Sequence, residues 1–269
     1  MKSLVLNALK VIASACLLLA LVVALLFAQR IYTIFNPPVN HVLFWLNDDD
    51  VHSKLKARIS SGVDVNQVND HGRALIHLAV VYGTPESLLL LIDAGAYIST
   101  RNNFGQTALH LAVDGGSAEN IRVLLRNGAD VNASDKFQIS PLHKAVSLGA
   151  SGPTKGDNVA LLLSAGADVN ARNEQGETPV HWAVTSYYLE YCLVPLLKAG
   201  GNPDSINNQG ETPLHLASRM GVERAVELLL EYGADVTIRD KNGNTAIDNA
   251  LNLPEPFTAS IMGKLRSIK

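Results

Sequence analysis

The chain has 269 residues, of which 47% are hydrophobic, and it carries a formal net charge of −3 at pH 7. This composition provides enough apolar side chains for a sizeable core, and the slightly acidic balance argues against a nucleic-acid-binding protein. The two cysteines, Cys16 and Cys192, stand in separate apolar surroundings, so we expect no disulfide between them.

The first 30 residues contain an uncharged apolar segment, residues 11–28. As an α-helix this segment would extend about 27 Å, which is close to the thickness of the hydrocarbon core of a bilayer. We therefore predict a transmembrane anchor over residues 1–30, followed by a linker over residues 31–38 that ends in two prolines. Two alternatives stay open: a signal peptide cleaved after Ala28, and a buried helix of a soluble protein.

Basic residues on the two sides of this segment predict its orientation. Lys2 and Lys10 precede it and Arg30 follows it, so the positive-inside rule favours a cytoplasmic N-terminus. The rest of the chain would then lie on the non-cytoplasmic side of a single-pass membrane protein. With a cleaved signal peptide, the mature protein would instead be secreted or periplasmic.

From about residue 39 onward, two landmarks return with one period. The first is a histidine in a constant context, replaced by Asp248 in the last copy; the histidines are His77, His110, His143, His181 and His215. The second is a glycine near the end of each copy, found at Gly62, Gly95, Gly128, Gly166, Gly200 and Gly233. Both landmarks advance by 33, 33, 38, 34 and 33 residues. This agreement predicts an array of stacked units.

Each unit is predicted to contain two short helices. In the third unit, Leu109 and Val113 recur at helical spacing, and Thr107 is placed to cap the first helix. The second helix is predicted over residues 118–127 and ends at Gly128, because glycine tolerates a left-handed conformation. One unit cannot bury its apolar face alone, so neighbouring units must stack. In other units a proline stands at the first helical position, where its missing N–H costs nothing: Pro141, Pro179 and Pro213.

The repeated sequence resembles the ankyrin repeat. Residues 210–237, GETPLHLASRMGVERAVELLLEYGADVT, follow the family pattern G-x-T-P-L-H-x-A and then L-L-L-x-x-G-A-D-V-N with few departures. The resemblance extends from about residue 39 to the C-terminus. It implies an all-α solenoid, an L-shaped stack of helix pairs with projecting hairpin-like fingers, preceded here by one N-terminal apolar helix. It also implies protein–protein recognition by the fingers and the inner helix face, without catalysis.

The landmarks divide residues 39–269 into an N-terminal cap, five full units and a C-terminal cap. Their ranges are 39–70, 71–103, 104–136, 137–174, 175–208, 209–241 and 242–269. The second unit has Ala74 where others have a capping hydroxyl, so we expect it to be locally weaker. The fourth unit contains an insertion, residues 148–158, whose Gly, Ser and Pro content predicts an extended loop. In the last unit Ile261, Leu265 and Ile268 predict a final helix.

The repeated histidines are the constellation that could suggest a metal site. Equivalent positions on stacked helices lie roughly 8–10 Å apart, whereas each ligand of a zinc ion lies about 2.1 Å from it. We therefore interpret the histidines as hydrogen-bonding residues that tie one finger to the next, as the resemblance also implies. The sequence lacks a nucleophile–base motif, a P-loop and a dinucleotide fingerprint, so we predict no catalysis, cofactor or metal. An unfamiliar active site in the 148–158 loop is the alternative.

A binding site must lie among positions that stacking leaves free. Fingertips are expected just before each motif glycine, at His71, Phe104, Phe137, Gln175, Gln209 and Asn242. Phe104 and Phe137 stand at adjacent tips, where exposed aromatic rings would be favoured anchors for a partner. Alternatively, these two rings pack on each other as the core of the fingers. The inner-helix candidates are Tyr82, Asp114, Tyr187, Tyr188 and Arg219. The most aromatic stretch holds Trp182, Tyr187, Tyr188 and Tyr191.

These observations predict a membrane-tethered scaffold that binds a partner protein through its fingertips and inner helix face. Residues 11–28 would contact the membrane, no nucleic acid is expected to bind, and the repeat domain should be monomeric. A secreted protein, for example a bacterial factor acting on periplasmic or host proteins, is the alternative. Asn132-Ala-Ser134 is an N-glycosylation sequon, which would matter only in a eukaryotic secretory compartment.

Overall fold

The computed structural model describes residues 51–115, 117–147, 155–186, 188–251 and 257–266. Within these ranges the regular structure is entirely helical. The predicted anchor and linker, residues 1–38, and the first part of the N-terminal cap lie outside the described residues. The helices are α1 Val51–Ser60, α2 Leu75–Tyr82, α3 Pro85–Asp93, α4 Ala108–Asp114, α5 Ala118–Arg126, α6 Pro141–Val146, α7 Lys155–Ser164, α8 Pro179–Ala183, α9 Leu189–Lys198, α10 Pro213–Met220, α11 Glu223–Glu231, α12 Ala246–Ala250 and α13 Phe257–Arg266.

The helices form two layers that run along the stack. The first helices of the units, α2, α4, α6, α8, α10 and α12, each pack against the next and make the inner layer. The second helices, α1, α3, α5, α7, α9, α11 and α13, pack in the same order and make the outer layer. Each contact therefore joins neighbours along the chain, so the stack is the solenoid predicted from the repeat.

The core lies between the two layers and repeats from unit to unit. In the third unit, Leu109 from α4 and Ile121 and Leu124 from α5 are almost completely buried. Leu193 and Leu196 of α9 occupy equivalent positions two units later and are also buried. Removing such a side chain from water contributes about 1.5–3 kcal/mol. Because adjacent units share these contacts, the core is continuous although each unit is small.

Helix starts and ends follow the local signals in the sequence. The hydroxyls of Ser140 and Thr212 accept N–H groups from the first turns of α6 and α10, as the capping prediction requires. Thr107 stands at the predicted cap position of α4, but its hydroxyl contacts Nδ1 of His110 at 3.0 Å instead of accepting a backbone N–H. Proline occupies the first position of α6, α8 and α10. Gly128, after α5, has φ +88°, the left-handed conformation that allows the chain to leave the helix. In the second unit Ala74 offers no hydroxyl, but its backbone N–H still donates to Nδ1 of His77 at 3.2 Å.

Two predictions about helix boundaries are wrong. The extended loop predicted over residues 148–158 is shorter, because α7 already begins at Lys155 and includes Asn158. Val159 and Leu162 of α7 are fully buried, and their packing draws the preceding turn into the helix despite its glycine. In the fifth unit, α8 ends at Ala183, and Tyr188 caps α9 instead of lying on the inner helix.

Two further observations concern the last helix and the lengths of the helices. The final helix of the last unit is confirmed as α13, with Ile261 and Leu265 buried and Ile268 outside the described residues. None of the helices among the described residues is long and apolar enough to cross a bilayer.

Candidate protein-binding surface

The repeated histidines join each finger to the next one. Nε2 of His110 donates to the carbonyl oxygen of Ile139 at 3.0 Å, and Nε2 of His143 donates to that of Glu177 at 3.1 Å. Corresponding bonds run from His77 to Gln106, from His181 to Glu211 and from His215 to Asn244. The interpretation of these residues as ties between fingers is confirmed. The carboxylate of Asp248 accepts the backbone N–H and the hydroxyl of Thr245 at the start of α12, and it has no side-chain N–H that could bond to a further finger.

Both ring nitrogens of each histidine are committed to the fold. Nδ1 of His143 accepts the backbone N–H of Ser140 at 3.2 Å, so the ring proton lies on Nε2 and the imidazole is neutral. Burial lowers the pKa of His77, His110, His143 and His181 below the ordinary 6.5, because it disfavours the charged form. Over the ranges that the structure describes, no cluster of histidine, cysteine and carboxylate side chains could hold a metal ion.

The backbone of the fingertips is held by hydrogen bonds to the N–H and to the carbonyl of the tip residue. The side-chain oxygen of Asn102 accepts the backbone N–H groups of Phe104 and Gln106, and Asp135 holds Phe137 and Ile139 in the same way. The tip carbonyl then accepts an N–H from the next finger. Such bonds run from Asn103 to His71, from Lys136 to Phe104, from Glu174 to Phe137, from Asn208 to Gln175 and from Lys241 to Gln209. The tip backbone is fixed, and the tip side chain is left free.

Phe104 and Phe137 use this freedom to expose aromatic rings. They are 55% and 49% exposed, so they do not form a buried finger core. The expectation that a motif glycine follows every tip is wrong at Phe137, where Gln138 stands instead and adopts φ +57°. At the equivalent Gly105, with φ +78°, a Cβ atom would come within 2.8 Å of the backbone nitrogen of Lys136. The Phe137 tip therefore contains a strained residue directly after the exposed ring.

The family follows from comparison with known proteins. The family description "Ankyrin repeats (3 copies)" matches residues 47–135, 76–173 and 142–240. The chain belongs to the ankyrin-repeat family. Among solved structures, the ankyrin repeat domain of Bcl-3, titled a unique member of the IkappaB protein family, is similar with a TM-score of 0.68 and 29% identity. That match covers 80% of this chain and 92% of that one. A search of curated proteins finds no match.

Two of the inner-helix candidates of this ankyrin stack are held in ion pairs. Asp114, at the end of α4, lies 3.0 Å from the ammonium group of Lys144 on α6. Arg219 of α10 pairs with Glu211, a finger residue. A third inner-face contact joins Nε1 of Trp182 to the carboxylate of Glu177 at 2.7 Å. These pairs link inner helices and fingers, so Asp114 and Arg219 already have partners within the stack.

The remaining candidates are dispersed. Tyr82 is 42% exposed at the end of α2, and His71 is exposed at the first tip. The aromatic stretch of the fifth unit does not form one exposed patch, because Trp182 and Tyr188 pack against the core while Tyr191 is 68% exposed on α9. Tyr187 lies outside the described residues.

Sequence reasoning missed three cations on the first three fingers: Arg73 on the finger of His71, Arg101 on the finger of Phe104 and Lys136 on the finger of Phe137. Arg101 donates to the backbone carbonyls of Gly105 and Ser134, and so bridges two fingers. The sequence could have revealed them, because each lies within three residues of a predicted tip. Basic residues are, however, common on protein surfaces, and nothing in the amino-acid sequence distinguishes these three from the others.

The loops that follow the second helices carry another set of ties. Nδ2 of Asn132 donates to the carbonyl oxygen of Gly166 at 3.2 Å, and Oδ1 accepts the N–H of Asp168 at 2.8 Å. Asn66 and Asn170 make the equivalent pairs of bonds at their own junctions. The amide of the Asn132 sequon thus joins two units.

Proposed function

We propose that this ankyrin-repeat chain is a membrane-tethered scaffold whose partner protein binds at the fingertips around Phe104 and Phe137 and on the adjoining inner helix face. Ankyrin repeats are protein–protein interaction modules, and this coarser function follows from the family. In the proposal the stack contributes binding alone, and any chemistry belongs to the partner.

The observation that carries the proposal is the pair of exposed rings on a fixed backbone. Aromatic side chains are enriched among the residues that dominate interface affinity. Their cost of ordering is small when the backbone is already rigid, as it is at these hydrogen-bonded tips. Inner-face residues such as Tyr82 extend the proposed surface, while the Asp114–Lys144 pair contributes a fixed pattern of charge.

The test compares capture of partners by the full-length chain and by the double variant Phe104→Ala/Phe137→Ala, using crosslinking and mass spectrometry. We expect the variant to lose the specific partners by at least about tenfold, as is typical of hot-spot residues. Both rings are about half exposed, so the free energy of unfolding should change by only about 0.5 kcal/mol per site. Tyr191→Ala, which removes an even more exposed ring from α9, is the matched control and should keep the partners. Unchanged capture by the double variant would remove the fingertips from the site.

The membrane tether is tested separately through the N-terminus of the mature protein. An intact Met1 together with fractionation into membranes would support an anchor at residues 11–28. A mature chain that starts near Gln29 would instead support secretion. A protease protection assay on sealed vesicles then reports on which side the repeat domain lies, and the charges of Lys2, Lys10 and Arg30 favour the non-cytoplasmic side.

A further inference from the structure

Resting on the proposed function, we infer that the partner presents an acidic segment with apolar anchors to the basic aromatic ridge. This ridge comprises Arg73, Arg101, Phe104, Lys136 and Phe137, which lie on three consecutive fingers. Its two exposed rings require apolar side chains on the partner, and its cations require carboxylates beside them. This chemistry favours a partner segment that is rich in Asp or Glu and interrupted by aliphatic or aromatic residues.

The positive charge of the ridge is not neutralised within the described part of the chain. Arg73 and Lys136 make no ion pair there, and Arg101 donates to two carbonyl oxygens, which leaves its charge uncompensated. The inner helices differ, because Lys144 and Arg219 are each paired with a carboxylate. A free cation beside an exposed ring attracts an anionic group without first breaking an internal pair.

The carboxylates on the same three fingers do little to offset this charge. Asp135 is buried, and its oxygen accepts the N–H groups of Phe137 and Ile139. Asp70 is exposed on the first of the three fingers, at one end of the ridge. On the second and third fingers, Asp135 is the carboxylate that accompanies Arg101 and Lys136, and it makes no ion pair with either of them.

The fourth finger of the row brings a carboxylate next to the ridge, and this limits where the partner can bind. Glu174 is exposed there and stands at the position equivalent to Lys136, although the same finger also carries Arg172, which donates to the carbonyl of Ile206. A long run of phosphates, as in a nucleic acid, would be repelled at Glu174, whereas a short acidic protein segment can end before it. The charge boundary between Lys136 and Glu174 therefore favours a protein segment that lies toward the N-terminal fingers.

The spacing of the rings sets the spacing of the anchors. Equivalent positions on neighbouring units are separated by roughly 8–10 Å. Seven residues of an α-helix advance by about 10.5 Å, and three residues of an extended chain by about 10 Å. Apolar residues seven apart in a helix, or three apart in an extended segment, would therefore reach both Phe104 and Phe137.

The experiment selects peptides of about 16 residues, which span roughly 24 Å as a helix, from a random displayed library on the full-length chain in detergent micelles. Enriched peptides are synthesised, labelled and titrated by fluorescence anisotropy. We expect acidic peptides with apolar anchors, whose affinity falls at least about tenfold with Phe104→Ala/Phe137→Ala. Arg73→Gln and Lys136→Gln should each weaken binding by roughly 2- to 5-fold. Lys198→Gln, which removes an exposed cation from the end of α9, is the matched control and should not weaken it.

The other outcomes separate the two proposals. Peptides that are neutral or basic but still depend on the phenylalanines would overturn the acidic partner and leave the fingertip site standing. Peptides that ignore both phenylalanines would overturn the site itself, and the acidic partner with it. A labelled single-stranded oligonucleotide serves as a second probe, and binding tighter than that of the best peptide, lost in Lys136→Gln, would assign the ridge to nucleic acid instead.

Discussion

Acidification from about pH 7.5 to about pH 5.5 should destabilise this ankyrin stack through its buried histidines. Burial lowers the pKa of four of them, His77, His110, His143 and His181, below the ordinary 6.5. In each, Nδ1 accepts a backbone N–H and Nε2 donates to the next finger. A second proton would have to reside on Nδ1, which faces an N–H donor. Protonation therefore breaks the N-terminal end of the inner helix.

The sign and size of the effect follow from linkage between proton binding and folding. Because the folded pKa is depressed, the unfolded chain takes up protons first, so the stabilisation is complete above about pH 6.5 and is lost as the pH falls below it. Each histidine that stays neutral in the fold contributes a loss of about 1.4 kcal/mol per pH unit. Four such groups set a ceiling of about 6 kcal/mol at pH 5.5, a large part of the 5–15 kcal/mol that domains typically possess.

Carboxylates act in a different window and do not hide this effect. The pKa of Glu227 is lowered by its hydrogen bonds to Lys264 and Arg224, and that of Asp248 by bonds to Thr245. Their ordinary values are 4.5 and 3.8, so their contribution is present above those values and is lost mainly below about pH 5. Stability measured between pH 7.5 and 5.5 therefore reports mostly on histidine.

The assay is urea denaturation of the full-length chain in detergent, followed by circular dichroism at about pH 7.5, 6.5 and 5.5. The variant His143→Gln should lose the tie to Glu177 and be less stable at neutral pH, but its pH dependence should be smaller by about a quarter, since one of four groups is gone. Stability that stays constant or rises on acidification would show that the buried histidines do not take up protons on unfolding. A variant that keeps the full dependence would show that His143 is not among the groups responsible.

Further substitutions test the ties between units, each measured by urea denaturation at neutral pH. Asn132→Ala removes two hydrogen bonds to the next loop and should cost about 1–2 kcal/mol. Ser99 holds the equivalent position one unit earlier, and Ser99→Asn should add up to about 1 kcal/mol if the missing bonds can form there. Gly105→Ala should cost about 1–3 kcal/mol, because φ is +78° and the new Cβ meets Lys136. Gln138→Gly should act in the opposite sense by up to about 1 kcal/mol, as left-handed strain is relieved and chain entropy rises. Equal effects of the two fingertip changes would contradict the strain argument.

The stack itself could be predicted from the sequence because its determinants are local and repeated. A capping hydroxyl, a proline at the first helical position and a glycine after the second helix act within a few residues of one another. The role of the histidines was also predictable, since their period equals the period of the units. The start of α7 at Lys155 was not, because burial of Val159 and Leu162 between units overrides the loop composition of the insertion.

The binding surface was only partly predictable. The repeat places Phe104 and Phe137 at adjacent tips. Their exposure, however, depends on how side chains pack between fingers, and the sequence pattern alone does not show this packing. Asp114 and Arg219 were chosen as unpartnered inner-face residues, and both are ion-paired. Lys144, the partner of Asp114, lies 30 positions further along the chain, so the pair exists only once the units are stacked.

The backbone of the fingers and their side chains serve separate purposes, and this separation explains how one stack can acquire a new partner. The side-chain oxygens of Asn102 and Asp135 accept the backbone N–H of the tip residue, and the next finger donates to its carbonyl, whatever side chain the tip carries. A tip residue can therefore change at little cost in stability, as long as the residue after it can adopt positive φ. Gln138 shows that even this requirement is not absolute. Selection for binding can thus act on Phe104 and Phe137 almost independently of selection for folding, which acts on the histidines and the buried leucines.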